Sequence, residues 1–170
     1  MFHLLFELLF VALIVGCLVQ WRRGIVRRRG ESWETLLGKL HPNWNAQVFG
    51  KDFLPDATAT PEDIWHRIGG AKGLCSLFHN AGVLMEMAGY AVRNDPTPHR
   101  ALLAAIHKEA LRVQVLVVRT LVQYAFLSLS EGVRENAFWS VSIYIGMTVR
   151  MTQLLQESSA NLLPGFVEAM

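Results

Sequence analysis

The stretch that decides the fold is residues 60–95, which read TPEDIWHRIGGAKGLCSLFHNAGVLMEMAGYAVRND. Thr60 can cap a helix, Pro61 suits the first helical position, and two acids follow in the first turn. Mostly apolar residues then recur at alternating spacings of four and three: Ile64, Ile68, Ala71, Cys75, Phe78, Gly82, Met85, Gly89 and Val92. This spacing predicts a long helix over 61–94 with a coiled-coil-like seam.

A second apolar stripe lies beside this seam, so the helix is wide enough to contact two neighbours. The stripe consists of Leu74, Leu77, Ala81, Leu84, Ala88 and Ala91. Small seam residues at 71, 82 and 89 predict close approach of the next helix at those levels. Two adjacent glycines, Gly69 and Gly70, each weaken a helix by about 1 kcal/mol and predict a kink or a break.

Two further helices follow the same pattern. Thr97 and Pro98 repeat the helix-start signal and predict a helix over 98–130, and Gly132 separates it from a third helix over about 133–158. Helices of this length with short connections pack as antiparallel neighbours. The sequence therefore predicts an all-α, antiparallel three-helix bundle over 61–160 and a tail over 161–170. If Asp95 pairs with Pro98, residues of the first two helices whose numbers sum to about 193 lie at equal height.

Both long helices that follow the first carry their own apolar patterns. The helix over 98–130 has one stripe at Ile106, Ala110, Val113, Val117, Thr120, Tyr124 and Leu127 and another at Leu111, Val115, Val118, Val122, Ala125 and Leu129. The seam of the last helix is predicted at Phe138, Val141, Ile145, Thr148, Thr152 and Leu155. Arg112 and Arg119 make a membrane span over 110–129 too costly, at about 2.5–3.5 kcal/mol each.

The first 21 residues read as a membrane anchor. Residues 2–19 are apolar except for His3 and Glu7, and a helix over 2–21 is about 30 Å long, which matches the hydrocarbon thickness. A cleaved signal peptide would carry its positive charge before the apolar stretch, whereas here the charge follows it. The sequence thus predicts a single transmembrane helix over 1–21, with the N-terminus outside and the bundle in the cytoplasm.

The segment 22–60 is predicted to be a basic juxtamembrane region, a short helix and a linker. Its lipid-contacting residues, together with the interfacial Trp21, are predicted to be Arg22, Arg23, Arg27, Arg28, Arg29 and Trp33. Ser32 is a candidate cap for a short amphipathic helix near 32–41, whose apolar residues are Trp33, Leu36, Leu37 and Leu40. This helix either rests in the lipid headgroups or folds back as a flap over the bundle.

Charge and cysteine content exclude several classes of protein. The net charge is +2, but the five arginines of 22–29 supply it, because the chain from Glu31 onward has 11 basic and 13 acidic residues. A nucleic-acid-binding domain would spread its basic face over the folded part, so no nucleic-acid partner is expected. Cys17 and Cys75 cannot form a disulfide framework, since Cys17 lies in the apolar segment.

One group of polar residues has the chemistry of a site. By the antiparallel register, Glu86, His107, Glu109 and Gln153 lie at similar height, and their side chains suit a metal ion or proton transfer. Glu86 also shares a polar strip with Lys72 and Arg93, which is typical of a solvated helix face. The Glu-x-x-His signature of di-metal bundles is absent from the sequence. No catalytic residue and no cofactor is assigned, and Glu86, His107 and Glu109 remain the metal candidates.

The sequence favours a non-catalytic function, although an enzyme is not excluded. The leading hypothesis is a single-pass membrane protein whose cytosolic bundle acts through contact with another protein or with a second copy of itself, because wide apolar stripes leave surface to cover. Its expected partners are membrane lipid and protein. The alternative is a membrane-attached bundle that binds a metal or ligand, or acts as an enzyme, through the Glu86 and His107 layer.

Overall fold

The computed structural model describes residue 16 and residues 31–41, 60–95, 99–127, 129–158 and 162–170. Apart from the isolated Gly16, this part of the chain contains six helices and no strand: α1 Trp33–Leu37, α2 Pro61–Arg67, α3 Gly70–Arg93, α4 Arg100–Leu127, α5 Glu131–Glu157 and α6 Leu163–Ala169. The all-α prediction is confirmed for these residues. The predicted anchor, apart from Gly16, and the arginine cluster lie outside them. None of helices α1–α6 combines the length and apolar character that a membrane crossing requires.

The helix predicted over 61–94 is in fact two helices, α2 and α3, and the break lies at the paired glycines. Gly69 and Gly70 both adopt a positive φ, of 78° and 64°, which glycine tolerates and other residues rarely adopt. The corner is tight: a Cβ added at Gly73 would lie 1.8 Å from the carbonyl oxygen of Ile68. A single straight helix is therefore replaced by a corner, and α2 packs against α5.

The start of α2 confirms the predicted cap. The hydroxyl of Thr60 accepts a hydrogen bond from the Asp63 backbone N–H at 3.2 Å, and the Asp63 carboxylate accepts one from the Thr60 backbone N–H at 3.1 Å. This reciprocal capping box satisfies two donors at the helix end. The bond from the Thr60 hydroxyl, followed by that from its backbone N–H, lowers the pKa of Asp63 below its ordinary value.

Helices α3, α4 and α5 are successive antiparallel neighbours in the register that the sequence predicts. The His107 ring bonds the backbone of Met85, and the Gln114 amide donates to the Phe78 carbonyl oxygen at 3.5 Å. Both pairs sum to 192, which is close to the predicted 193. Between α4 and α5 the Asn136 amide donates to Gln123 at 2.8 Å. This bond joins the C-terminal part of α4 to the N-terminal part of α5.

The core faces of the long helices differ from the predicted seams. On α3 the second stripe is buried throughout, whereas Cys75 of the first seam is exposed and Gly82 and Gly89 are half-buried. A Cβ at Gly82 would meet only the Gln114 amide, at 3.4 Å, so α4 approaches α3 at this level through a side chain and not through its backbone. The reason is that α3 turns its second stripe, and not its seam, towards the centre of the bundle.

The other two long helices follow their predicted stripes in part. On α4 the first stripe is buried from Ile106 to Thr120, whereas in the second stripe Val115 is 41% exposed. On α5 three of the six seam residues are buried, and the centre of its inner face is formed by Tyr144, Met147, Met151 and Leu154.

The short helix α1 is a flap on the bundle and not a headgroup helix. Ser32 caps it as predicted, through a bond from the Thr35 backbone N–H at 3.3 Å. Trp33 is only 6% exposed, and its ring lies 5.7 Å from that of Tyr90 on α3. The lipid contact predicted for Trp33 is therefore corrected, because the ring packs against protein. The predicted tail forms helix α6, in which Phe166 is buried.

Candidate functional site

The flap is held on α3 by a buried polar clamp that sequence reasoning missed. The Asn80 side chain accepts a hydrogen bond from the His41 backbone N–H at 2.9 Å and donates one to the His41 carbonyl oxygen at 3.1 Å. The His79 ring contacts the Lys39 carbonyl oxygen at 3.0 Å. An amide side chain that pairs with both backbone groups of one residue imitates a strand partner, and it fixes the end of the flap in place.

Asn80 also reaches α5, which joins three elements at one point. Its side chain lies near the hydroxyl of Tyr144, whose ring is fully buried at the centre of the bundle. Burial raises the pKa of Tyr144 well above the ordinary tyrosine value, and the neighbouring Asn80 amide opposes that rise. Tyr144 therefore stays a neutral phenol, and the clamp is a structural network rather than an acid–base pair.

The polar layer predicted around Glu86 and His107 divides into separate pairs. Glu109 forms an ion pair with Arg150 on α5, and Gln153 donates to Glu157 at 2.8 Å. His107 instead bonds the backbone of Met85. Among the described residues, no group of three or more His, Cys, Asp and Glu side chains is arranged to hold a metal ion. The three metal candidates are thus not brought together as a site.

The pKa of His107 is lowered by the surroundings of its ring. Its half-buried ring loses water, which lowers the pKa below 6.5, and its bond to the Met85 backbone opposes the change. The ring therefore tends to be neutral at the boundary between α3 and α4.

A second ionic group lies where three helix ends meet, and the sequence pattern did not predict it. His99 faces Asp95 across 3.4 Å through Nε2 and Glu157 across 3.5 Å through Nδ1. The Asp95 side chain is fully buried, so it lies in a region where charges are poorly screened. The spacing of four between Asp95 and His99 was visible in the sequence, but the predicted helix start at 98 obscured it. The group joins the ends of α3, α4 and α5.

Two of the three most exposed large apolar side chains in the described part of the chain lie on the outer face of α5. We call Trp139, Ser142, Gly146 and Val149 the α5 patch; they follow one another at spacings of three, four and three, and so share a face. Trp139 is 57% exposed and Val149 is 61% exposed, while Ser142 and Gly146 between them are half-buried. The opposite face of α5, with Tyr144, fills the core, so packing forces the patch outward.

The patch is uncharged, and its glycine is not needed by the bundle. Residues 136–149 contain no Asp, Glu, Lys or Arg. A Cβ added at Gly146 would meet only the end of Arg150, at the ordinary contact distance of 3.6 Å. A tryptophan beside small residues offers a ridge and a shallow depression, which is the shape that a packed helix interface uses. Chemically, this surface can bind another protein.

Comparison with protein-family models, with curated proteins and with solved structures found no match to this chain.

Proposed function

We propose that this protein is a single-pass membrane protein whose helical bundle acts through protein contact and not through catalysis. In this proposal residues 1–21 cross the bilayer with the N-terminus outside, and the arginines of 22–29 contact the cytoplasmic leaflet. The length and apolar character of residues 2–19 and the charge that follows them support it. The bundle of α1–α6 is then the cytoplasmic part.

The observation that carries the proposal is the exposure of Trp139 and Val149 on one helix face, within a stretch over 136–149 that contains no charged residue. Fully burying one large apolar side chain is worth about 1.5–3 kcal/mol, so covering both is a substantial driving force. Tryptophan is also enriched among the residues that dominate binding energy in protein interfaces. Because the single chain leaves these two side chains exposed, we infer that a partner buries them.

The favoured partner is a second copy of the chain, because the patch is arranged symmetrically about Tyr144. Trp139 and Val149 lie at equal distances before and after Tyr144, and so do Ser142 and Gly146. Two α5 helices that cross antiparallel at this level place each Trp139 against Val149 of the other copy and each Ser142 against Gly146. The small central residues let the two backbones approach, as an isologous two-fold contact requires.

Self-association is tested on the full chain in detergent by sedimentation equilibrium. We expect a dimer for the natural sequence, and for Trp139→Gln a dissociation constant raised about 30-fold or more, since an interface tryptophan is worth about 2 kcal/mol or more. A wild-type chain that is strictly monomeric, and that yields no crosslinked partner in membranes, would contradict the proposal.

A matched pair of glycine variants separates interface from fold. Gly146→Gln adds a long side chain in the α5 patch, whereas Gly132→Gln adds the same side chain on α5 where no atom lies within 4 Å. Both changes favour the helix by up to about 1 kcal/mol, so neither is expected to unfold the bundle. We expect only Gly146→Gln to weaken the dimer, and equal effects of the two variants would exclude the patch as the interface.

The membrane anchor needs its own test. The full chain in native membranes is washed at alkaline pH, and the bundle is probed with protease from each side. We expect the chain to stay with the membrane and the bundle to be cut only from the cytoplasmic side. Release by the wash would remove the anchor from the proposal without affecting the dimer.

A further inference from the structure

The solvent-facing side of α4 differs from every other outer face in the described chain in having a row of cations along its length. We call Lys108, Arg112, Val115 and Arg119 the basic strip; their spacings of four, three and four place them on one face. Lys108, Arg112 and Arg119 are exposed, as is Val115 between them. The strip runs for about 16 Å along the helix axis.

The charge of the strip is not neutralised within the described part of the chain. None of Lys108, Arg112 and Arg119 forms an ion pair with a described residue. The sole acid of α4, Glu109, lies beside the strip but pairs with Arg150 of α5. Three like charges in one row repel one another, so this face favours an extended anionic surface.

We infer that the basic strip binds the anionic headgroups of a lipid bilayer and lays α4 against the membrane surface. The inference rests on the proposed function, because the proposed anchor and the arginines of 22–29 bring the bundle to that surface. Val115 supplies apolar contact between the cations, and the exposed Ala104 supplies it one turn before Lys108. Cations interleaved with small apolar side chains on one helix face are typical of helices that lie on anionic lipid.

The probe is the reactivity of Lys108 towards an amine-acylating reagent, measured by mass spectrometry. The full chain is reconstituted in nanodiscs of phosphatidylcholine alone or with phosphatidylserine. Lys72, exposed on α3, is the internal reference. Each basic residue near an anionic leaflet favours contact by about fivefold, so we expect acylation of Lys108 to slow several-fold in the phosphatidylserine nanodiscs, with Lys72 unchanged. High salt should restore the rate.

Variants decide whether the protection comes from the strip. Arg112→Gln with Arg119→Gln should abolish most of the protection of Lys108. Arg67→Gln with Arg93→Gln removes two exposed cations from α2 and α3 and should leave the protection intact. Equal acylation of Lys108 in both kinds of nanodisc overturns the inference, and so does equal loss in the two double variants.

The same experiment separates this inference from the proposed anchor. If the chain co-elutes with both kinds of nanodisc but Lys108 is not protected, the anchor is supported and lipid binding by the basic strip is contradicted. A chain that co-elutes only with phosphatidylserine, and loses this with Arg112→Gln and Arg119→Gln, supports the strip and contradicts the anchor. Protection of Lys108 in native membranes but not in phosphatidylserine nanodiscs assigns the strip to an acidic protein and overturns the lipid inference.

Discussion

Helices α3 and α4 have similar sequence patterns, with two apolar stripes each, and yet the bundle treats their second stripes in opposite ways. On α3 the second stripe, which includes Leu77 and Leu84, is buried along its whole length. On α4 only Val122 of the second stripe is buried. Leu111 and Val118 are half-buried, and Val115 and Ala125 are exposed. An apolar stripe thus shows that another element could pack against that face of the helix, but it does not show that the fold places one there.

The difference follows from the number of elements that pack on each helix. Helix α3 contacts α4, α5, α2 and the flap α1, whereas α4 has its main contacts with α3 and α5 alone. The flap is kept on α3 by Asn80, which satisfies both backbone groups of His41. The flap therefore covers part of α3, and the described chain places no corresponding element on the outer face of α4.

The largest expected effect comes from truncating one leucine in each second stripe. Leu77→Ala removes a fully buried side chain and should lower the free energy of unfolding by about 2–5 kcal/mol. Leu111→Ala, on the half-buried stripe of α4, should cost about 1 kcal/mol or less. Urea unfolding of both variants measures the difference, and equal losses would show that the two stripes are covered alike.

The next effect concerns the clamp. Asn80→Ala leaves the backbone N–H and carbonyl of His41 without their side-chain partner, and we expect a loss of about 1–3 kcal/mol. Amide hydrogen exchange should rise in the flap, residues 33–41, and not in α4. The control is Asn94→Ala, whose exposed side chain bonds only the Tyr90 carbonyl oxygen. Unchanged exchange in the flap would mean that apolar packing of Trp33 holds it without the clamp.

The smallest effect is a pH dependence at the boundary of the two helices. Burial lowers the pKa of His107 below 6.5 in the folded chain, so the unfolded chain binds this proton at higher pH. Stability is therefore fully present above pH 6.5 and falls as the pH decreases towards the folded pKa. His107→Gln should lose less stability than the natural sequence between pH 7 and pH 5, in urea unfolding at each pH.

The matched control for that prediction is His66→Gln, which removes an exposed histidine from α2. A steeper loss of stability in His107→Gln than in the natural sequence would contradict the burial of the ring.

Much of this fold was predictable because its signals are local. The capping box at Thr60, the cap at Ser32 and the α3–α4 register follow from residues a few positions apart or from one short connection. Gly69 and Gly70 indicated the α2–α3 corner, but the sequence did not decide whether the helix is kinked or interrupted there. The predicted core stripe of α4 is buried as far as Thr120, since its period matches a helix with neighbours on one side.

The rest depended on contacts between residues far apart in the chain. Asn80 bonds residue 41, and no periodicity in either segment points to the other. The seam of α3 and its second stripe were equally plausible core faces until the flap and α5 were placed. The candidate site shows the same limit: Glu109 was predicted beside Glu86 and His107, but Arg150 of α5 takes its carboxylate. Trp139 was not singled out, because the stripe read from α5 ran through Phe138 beside it.

The contact between α1 and α6 has a consequence for how the chain folds. A Cβ at Gly165 would lie 3.1 Å from the Leu37 Cδ1 atom, so the flap touches the last helix although the two lie at opposite ends of the described bundle sequence. Contacts of such long sequence separation pay the largest loop-closure entropy and form late. Helices α4 and α5, joined by a short turn, are expected to pair first. The bundle is then completed when its two ends meet, and a chain still emerging from the ribosome lacks that final contact until α6 is released.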